Sequence, residues 1–153
     1  MRPIAFVGVL LLAAGCSPAD EQDAPQTEPQ EAEAPAAMSL ADFAGTWSMR
    51  ATDAAGENVL IEYEMEATDG MDGWSVTFPD REPIPAQILE AAGDSVVIHL
   101  GPYASALRED VNVTTVTVAR IVDGQMVGYF TATYDTEGPD NILHGIQLGE
   151  RSH

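Results

Sequence analysis

The sequence predicts an all-β domain, an eight-stranded up-and-down antiparallel barrel, and three observations carry that expectation. From Leu40 onward, apolar residues recur at every second position rather than at helical spacing. Eight such runs follow one another on short connections punctuated by glycine, proline and an Asp-Gly pair. No stretch offers an amphipathic helix of three turns. Eight consecutive antiparallel strands lose both exposed edges when the sheet closes on itself, so closure is the favoured arrangement. A two-sheet sandwich is the alternative.

The chain opens with Met1, the charge of Arg2, an apolar run from Ile4 to Leu12, and the small residues Ala13, Ala14 and Gly15 before Cys16. Residues 1–15 have the anatomy of a secretory signal peptide. The run is too short for a permanent membrane-spanning helix, which needs about 20 residues. Ending on Ala-Ala-Gly-Cys, it resembles a bacterial lipoprotein signal, although Leu12 lies one place further from the cysteine than is usual. The resemblance implies that Cys16 is lipidated as the first mature residue and is the membrane partner's point of attachment. With Ser17 rather than aspartate next, it also implies an outer-membrane address facing the periplasm. Several acyl chains, at about 0.8 kcal/mol per buried methylene, make such anchoring stable. Cys16 is the one cysteine, so no internal disulfide exists.

Residues 17–38 contain proline, alanine, glutamine and six acids, with no aromatic residue and no base. Such a composition cannot bury enough surface to offset ordering, which predicts a disordered spacer after Cys16. Its reach is roughly 25 Å as a flexible coil and about 70 Å as polyproline II. The folded domain is expected over 39–153.

Within the domain, Ser39 is a possible cap for a short turn at Leu40–Phe43, and the first strand covers 44–52. The second, 59–67, alternates most cleanly: Val59, Ile61, Tyr63 and Met65 on one face, Glu62, Glu64 and Glu66 on the other. Further strands are expected at 73–78, 84–91, 94–100, 111–122, 125–135 and 142–150. Pro79, Pro83 and Pro85 predict that the fourth starts late or lies irregularly at an edge. Alternation slips near Thr114-Thr115, which predicts a bulge in the sixth. Asp123-Gly124 is the strongest hairpin signal, because a type I′ turn needs positive φ at both central residues.

Net charge is −19, from 25 acids and six bases, all of them arginine. A surface so acidic repels phosphate, which argues against nucleic acid as a partner.

Phe43-Ala44-Gly45-Thr46-Trp47 resembles the Gly-x-Trp opening of the first strand in lipocalins and the wider calycin group. The resemblance implies a calycin-like barrel with Trp47 at its floor and Arg151, from the last strand, packed across the indole. It also implies an interior able to hold a ligand. The short domain is nearest the avidin-like members.

Candidate chemistry is sparse. His99 is expected to face solvent and His144 the interior, alongside Ile142, Ile146 and Leu148. Asp69-Gly70-Met71-Asp72-Gly73 lacks the carboxylate spacing of a calcium loop and reads as a polar turn. No nucleophile motif is evident, and no metal or cofactor is expected. The connection Gly101–Arg108 is unusual: Tyr103 and Arg108, with Arg81, are candidates to clasp an anionic group, or else form salt bridges with nearby acids. The expected function is non-enzymatic binding of a small apolar or amphipathic ligand in a cavity lined by Trp47, Tyr63, Met65, Trp74, Val76, Phe78 and Ile98. A solid-core barrel acting through envelope protein–protein contact is the second expectation, since the same residues suit a packed core. The oligomeric state is left open.

Overall fold

The structure, a computed structural model, describes residues 39–152. The expected signal peptide, Cys16 and the spacer lie outside the described residues, as does His153. Eight strands run in chain order: β1 (Gly45–Asp53), β2 (Val59–Ala67), β3 (Trp74–Thr77), β4 (Ile84–Ala92), β5 (Ser95–Ala104), β6 (Asn112–Val122), β7 (Gln125–Tyr134) and β8 (Ile142–Arg151). Each pairs antiparallel with the next and β8 returns to β1, so the sheet is a closed barrel and not a sandwich. Short 3₁₀ turns at Leu40–Asp42 and Pro139–Asn141 are the helical elements among the described residues.

Local chemistry sets the boundaries. Ser39 Oγ accepts from the Ala41 N–H while the Ser39 N–H donates to Asp42 Oδ2, a reciprocal cap that fixes the turn leading into β1. Asp123 and Gly124 both have positive φ, 51° and 80°, as the hairpin signal requires. On β2 the three glutamates are exposed while Met65 and Ala67 are buried. Connections alternate between two ends of the barrel. The loops 54–58, 78–83, 105–111 and 135–141 share one end, called the roof here, and Trp47 and Trp74 lie toward the other, the floor.

Several expectations are corrected. No bulge occurs at Thr114-Thr115, because β6 pairs with β7 without a break from Val113↔Tyr134 to Val122↔Gln125. The irregularity is on the neighbouring strand, between Leu100 and Tyr103 of β5, and that strand continues to Ala104, so half of the expected connection 101–108 is sheet. The inward set of β6 includes Thr115 and Thr117, while Val116 and Val118 face out. That inversion is what made the alternation look broken. In β4 the sheet continues through Pro85, which points outward; closure leaves no edge, and the register shift falls between Ile88 and Glu90.

The parity of β8 is also reversed. Its inward residues are Gly145, Gln147 and Gly149, whereas Ile142, His144 and Leu148 are exposed. The reason is space. A Cβ at Gly145 would overlap the Phe130 ring and the Thr52 carbonyl oxygen, and one at Gly149 would overlap the Met49 sulfur. Large side chains from β7 and β1 cross to fill what β8 leaves empty, so its own aliphatic residues go outside. His144 therefore sits on the outer surface, with its Nδ1 3.0 Å from Thr131 Oγ1.

Candidate functional site

The floor is solid. Trp47 and Phe43 are fully buried and Trp74 almost so, and the Phe43 and Trp74 rings meet at 5.8 Å. Both indoles are satisfied: Trp47 Nε1 donates to the Phe43 carbonyl at 2.7 Å and Trp74 Nε1 to the Gly70 carbonyl at 2.8 Å. Arg151 lies with its guanidinium carbon 4.4 Å from the Trp47 ring centroid and donates to the Ala44 and Asp42 carbonyls. This explains the glycine two residues before Trp47: a side chain on Gly45, at φ 134°, would meet the Arg151 guanidinium. The short Gly-x-Trp signal thus has a local steric cause.

Above the floor the barrel is not filled. A cavity of about 60 Å³ is bounded by Ile61, Tyr63, Met65, Val76, Phe78, Ile98 and Leu100 on one side. Thr115, Thr117, Phe130, Ala132 and Gln147 line the other, with Tyr103, Ala106, Leu107 and Tyr134 toward the roof. Tyr63, Phe78 and Tyr103 form a continuous aromatic wall, with centroids 5.3 and 5.5 Å apart.

The polar groups in this lining decide its chemistry. Gln147 Nε2 donates to Thr117 Oγ1 at 3.2 Å, but Gln147 Oε1 is buried without a partner. Gln147 itself is 7 % exposed. Tyr103 Oη and Thr115 Oγ1 lie 3.1 Å apart. Burial, reinforced by the adjacent Tyr103, raises the Tyr63 phenol far above its ordinary range. Burial also raises Tyr103, against the hydrogen bond from Thr115. Both stay neutral at physiological pH. Among the described residues, no carboxylate, arginine, histidine or cysteine lines the cavity.

The roof is the 105–111 loop, shaped by Ser105, whose Oγ accepts from the Leu107 and Arg108 N–H groups at 3.1 and 3.0 Å. Two arginines pin it. Arg81, from the 78–83 loop, donates to the Ala104 and Ser105 carbonyls. Arg108 donates to the Asp140 carbonyl at 2.8 Å and stacks 3.8 Å over the Tyr134 ring centroid. Both guanidiniums are engaged with backbone oxygens of this fold, an arrangement unlike the expected anion clasp: they brace the roof rather than point together at a vacant anion position.

Of the seven expected lining residues, Tyr63, Met65, Val76, Phe78 and Ile98 do border the cavity, whereas Trp47 and Trp74 belong to the packed floor. Sequence reasoning missed Gln147, Thr115 and Thr117. The signal that could have found them is Gly-x-Gln-x-Gly at 145–149, in which the glycines mark the inward parity of β8.

Elsewhere, His99 is half-buried on the outward face of β5. The Asp69–Gly73 segment is a turn closed by Thr68 Oγ1, which donates to the Asp72 carbonyl at 2.6 Å. Among the described residues, no group of three His, Cys, Asp or Glu side chains is placed to hold a metal ion. No helix among them is long and apolar enough to cross a membrane.

Comparison with known proteins returns no match of any kind: no protein-family model, no characterised protein and no solved structure is significantly similar to this chain.

Proposed function

We propose that the chain is a lipoprotein of the bacterial cell envelope, anchored in the outer membrane through Cys16 and facing the periplasm. Its barrel is a non-enzymatic binder of a small, uncharged, hydroxyl-bearing molecule. The observation that carries the binding reading is the unpartnered Gln147 Oε1 at the wall of an interior cavity. A buried acceptor left alone costs about 1–3 kcal/mol, and an occupant that donates to it removes that cost. A hydroxyl serves either orientation of the Gln147 amide because it both donates and accepts.

Size and charge narrow the class. An apolar cavity of about 150 Å³ admits benzene, and drug-sized ligands occupy roughly 300–1,000 Å³. At about 60 Å³ this cavity suits a short alcohol or the hydroxyl end of a longer chain reaching past Leu107. A carboxylate would be buried with no counter-charge in the lining, which disfavours fatty acids.

Amide-resolved NMR with n-butanol and butyrate tests this. Butanol is expected to shift the amides of Thr117, Gln147 and Tyr103 while butyrate at neutral pH leaves them unmoved. Gln147→Met is expected to weaken butanol about fivefold, the loss of one neutral hydrogen bond. If neither probe shifts these residues, the interior is a closed core and the binding reading falls. For the anchor, Cys16→Ser should release the protein from the membrane fraction, and retention would refute the tether.

A further inference from the structure

The outward faces of β5 to β8 differ from the rest of the barrel surface. Cross-strand registers align them into rows. Val97, Val118, Tyr129 and Ile146 form one continuous row across four strands. On its roof side lie His99, Val116, Thr131 and His144, and on its floor side Arg120, Val127 and Leu148, continued by Arg50 of β1. Tyr129 is 64 % exposed and Val118 46 %, and Val116 and Leu148 are also exposed. The central row is a contiguous apolar stripe, edged by mixed rows that add Val116, Val127 and Leu148, and not a scatter of single residues.

Its charge is the second observation. The domain from residue 39 holds 19 acids and five arginines, net −14. Glu150 is the one carboxylate on the outward faces of β5 to β8, whereas β2 alone carries Glu62, Glu64 and Glu66. The acids are gathered on the other wall and in the turns, and the bases Arg120 and Arg50 border the apolar row.

We infer that the β5–β8 wall is a self-association surface that takes a second copy of this chain, wall against wall about a two-fold axis near Tyr129. Two bodies this acidic repel each other everywhere except where carboxylates are missing, and here the carboxylate-free region is also the apolar one. A closed barrel has no strand edge to extend, so face-to-face packing is the route open to it. Four strands at about 4.8 Å and three rows at about 6.7 Å give a patch of roughly 400 Å² per copy, below the total of about 1,000 Å² for a stable specific interface and in the range of transient contacts. The dimer is therefore weak and concentration-dependent. Its residues are separate from the cavity lining, so the two readings stand or fall independently.

Sedimentation equilibrium of the chain from residue 39, which contains every strand of the closed barrel, provides the test. The weight-average mass is expected to rise toward twice that of the chain at sub-millimolar concentration, and to rise more readily when salt screens the net charge. Val118→Glu and Tyr129→Glu, both at exposed sites, are expected to fold normally and to raise the dissociation constant at least about a hundredfold, because each buries an unpaired carboxylate. Glu64→Gln on the opposite wall should leave association intact. A monomeric mass at every concentration overturns the inference, even if the monomer proves to adhere to lipid vesicles. So does a dimer unaffected by Val118→Glu, which would place the contact elsewhere.

Discussion

Replacing Gln147 by methionine together with Thr117 by valine is expected to stabilise the ligand-free protein, an unusual outcome for a change at buried positions. Two effects compete. The hydrogen bond from Nε2 to Thr117 Oγ1 is lost, at about 0.5–1.5 kcal/mol, while the unpartnered Oε1 disappears, returning about 1–3 kcal/mol. Methionine has nearly the same shape and adapts its three torsions to the cavity, so packing changes little. The balance is a gain of about 1 kcal/mol, or a rise in Tm of about 4 °C for a domain of this size. Urea denaturation read by tryptophan fluorescence gives the free energy, and the m-value shows whether the two-state comparison is sound. A loss of stability by 1 kcal/mol or more would refute the reasoning, because it would mean that an internal water already satisfies the amide and leaves with it. Gln147→Met and Thr117→Val made singly, each of which leaves the other's polar atom without a partner and should be less stable than the pair, complete the cycle and isolate the coupling.

Gly145→Ala should destabilise by about 3 kcal/mol, since the methyl has a backbone carbonyl and the Phe130 ring in its place and β8 must move away from β1; thermal melts measure it. The raised phenol of Tyr63, and that of Tyr103, make stability full below the ordinary phenol range and falling as pH climbs above it, because only the unfolded chain then ionises readily. Titration of phenolate absorbance should therefore show these two groups ionising together with loss of the native fluorescence. Arg108→Ala removes the stacking on Tyr134 and the bond to Asp140, which should loosen the roof by about 1–2 kcal/mol; faster amide exchange at Leu107 and Arg108 would report it while the floor strands stay protected.

The strand order, the turns and the barrel were legible because they depend on local signals: alternation in β2, positive-φ chemistry at Asp123-Gly124, and proline or glycine between runs. The facing of β6 and β8 was not. Alternation tells which residues share a side, and the greasier side is ordinarily taken as the inner one. In β8 that inference fails, since the inside belongs to Phe130 and Met49 from other strands, which no reading of β8 alone can foresee. In β6, where the slip near Thr114-Thr115 predicted a bulge, the polar inward residues answer polar partners: Thr117 meets Gln147 and Thr115 meets Tyr103. Trp47 was expected at the floor as well as in the lining and Trp74 in the lining alone; satisfied indole N–H groups and their contacts with Phe43 put both in the floor.

The same inversion links the inner and outer surfaces. Along β6 and β8, Thr117 and Gln147 point in while Val118 and Leu148 point out, the reverse of what folding alone rewards. A strand pays for that arrangement with lost apolar burial inside and apolar exposure outside, so restoring the ordinary pattern should raise stability. Each half can be restored separately. Thr117→Val combined with Gln147→Met, so that neither polar atom is left alone, alters the cavity and leaves the wall untouched; Val118→Thr alters the wall and leaves the cavity untouched. If both variants melt higher, the first having lost butanol binding and the second self-association, then the polar inside and the apolar outside were kept at the expense of stability, each for its own contact. If the paired cavity variant melts lower instead, the bond between Thr117 and Gln147 is structural and the pair needs no ligand to explain it.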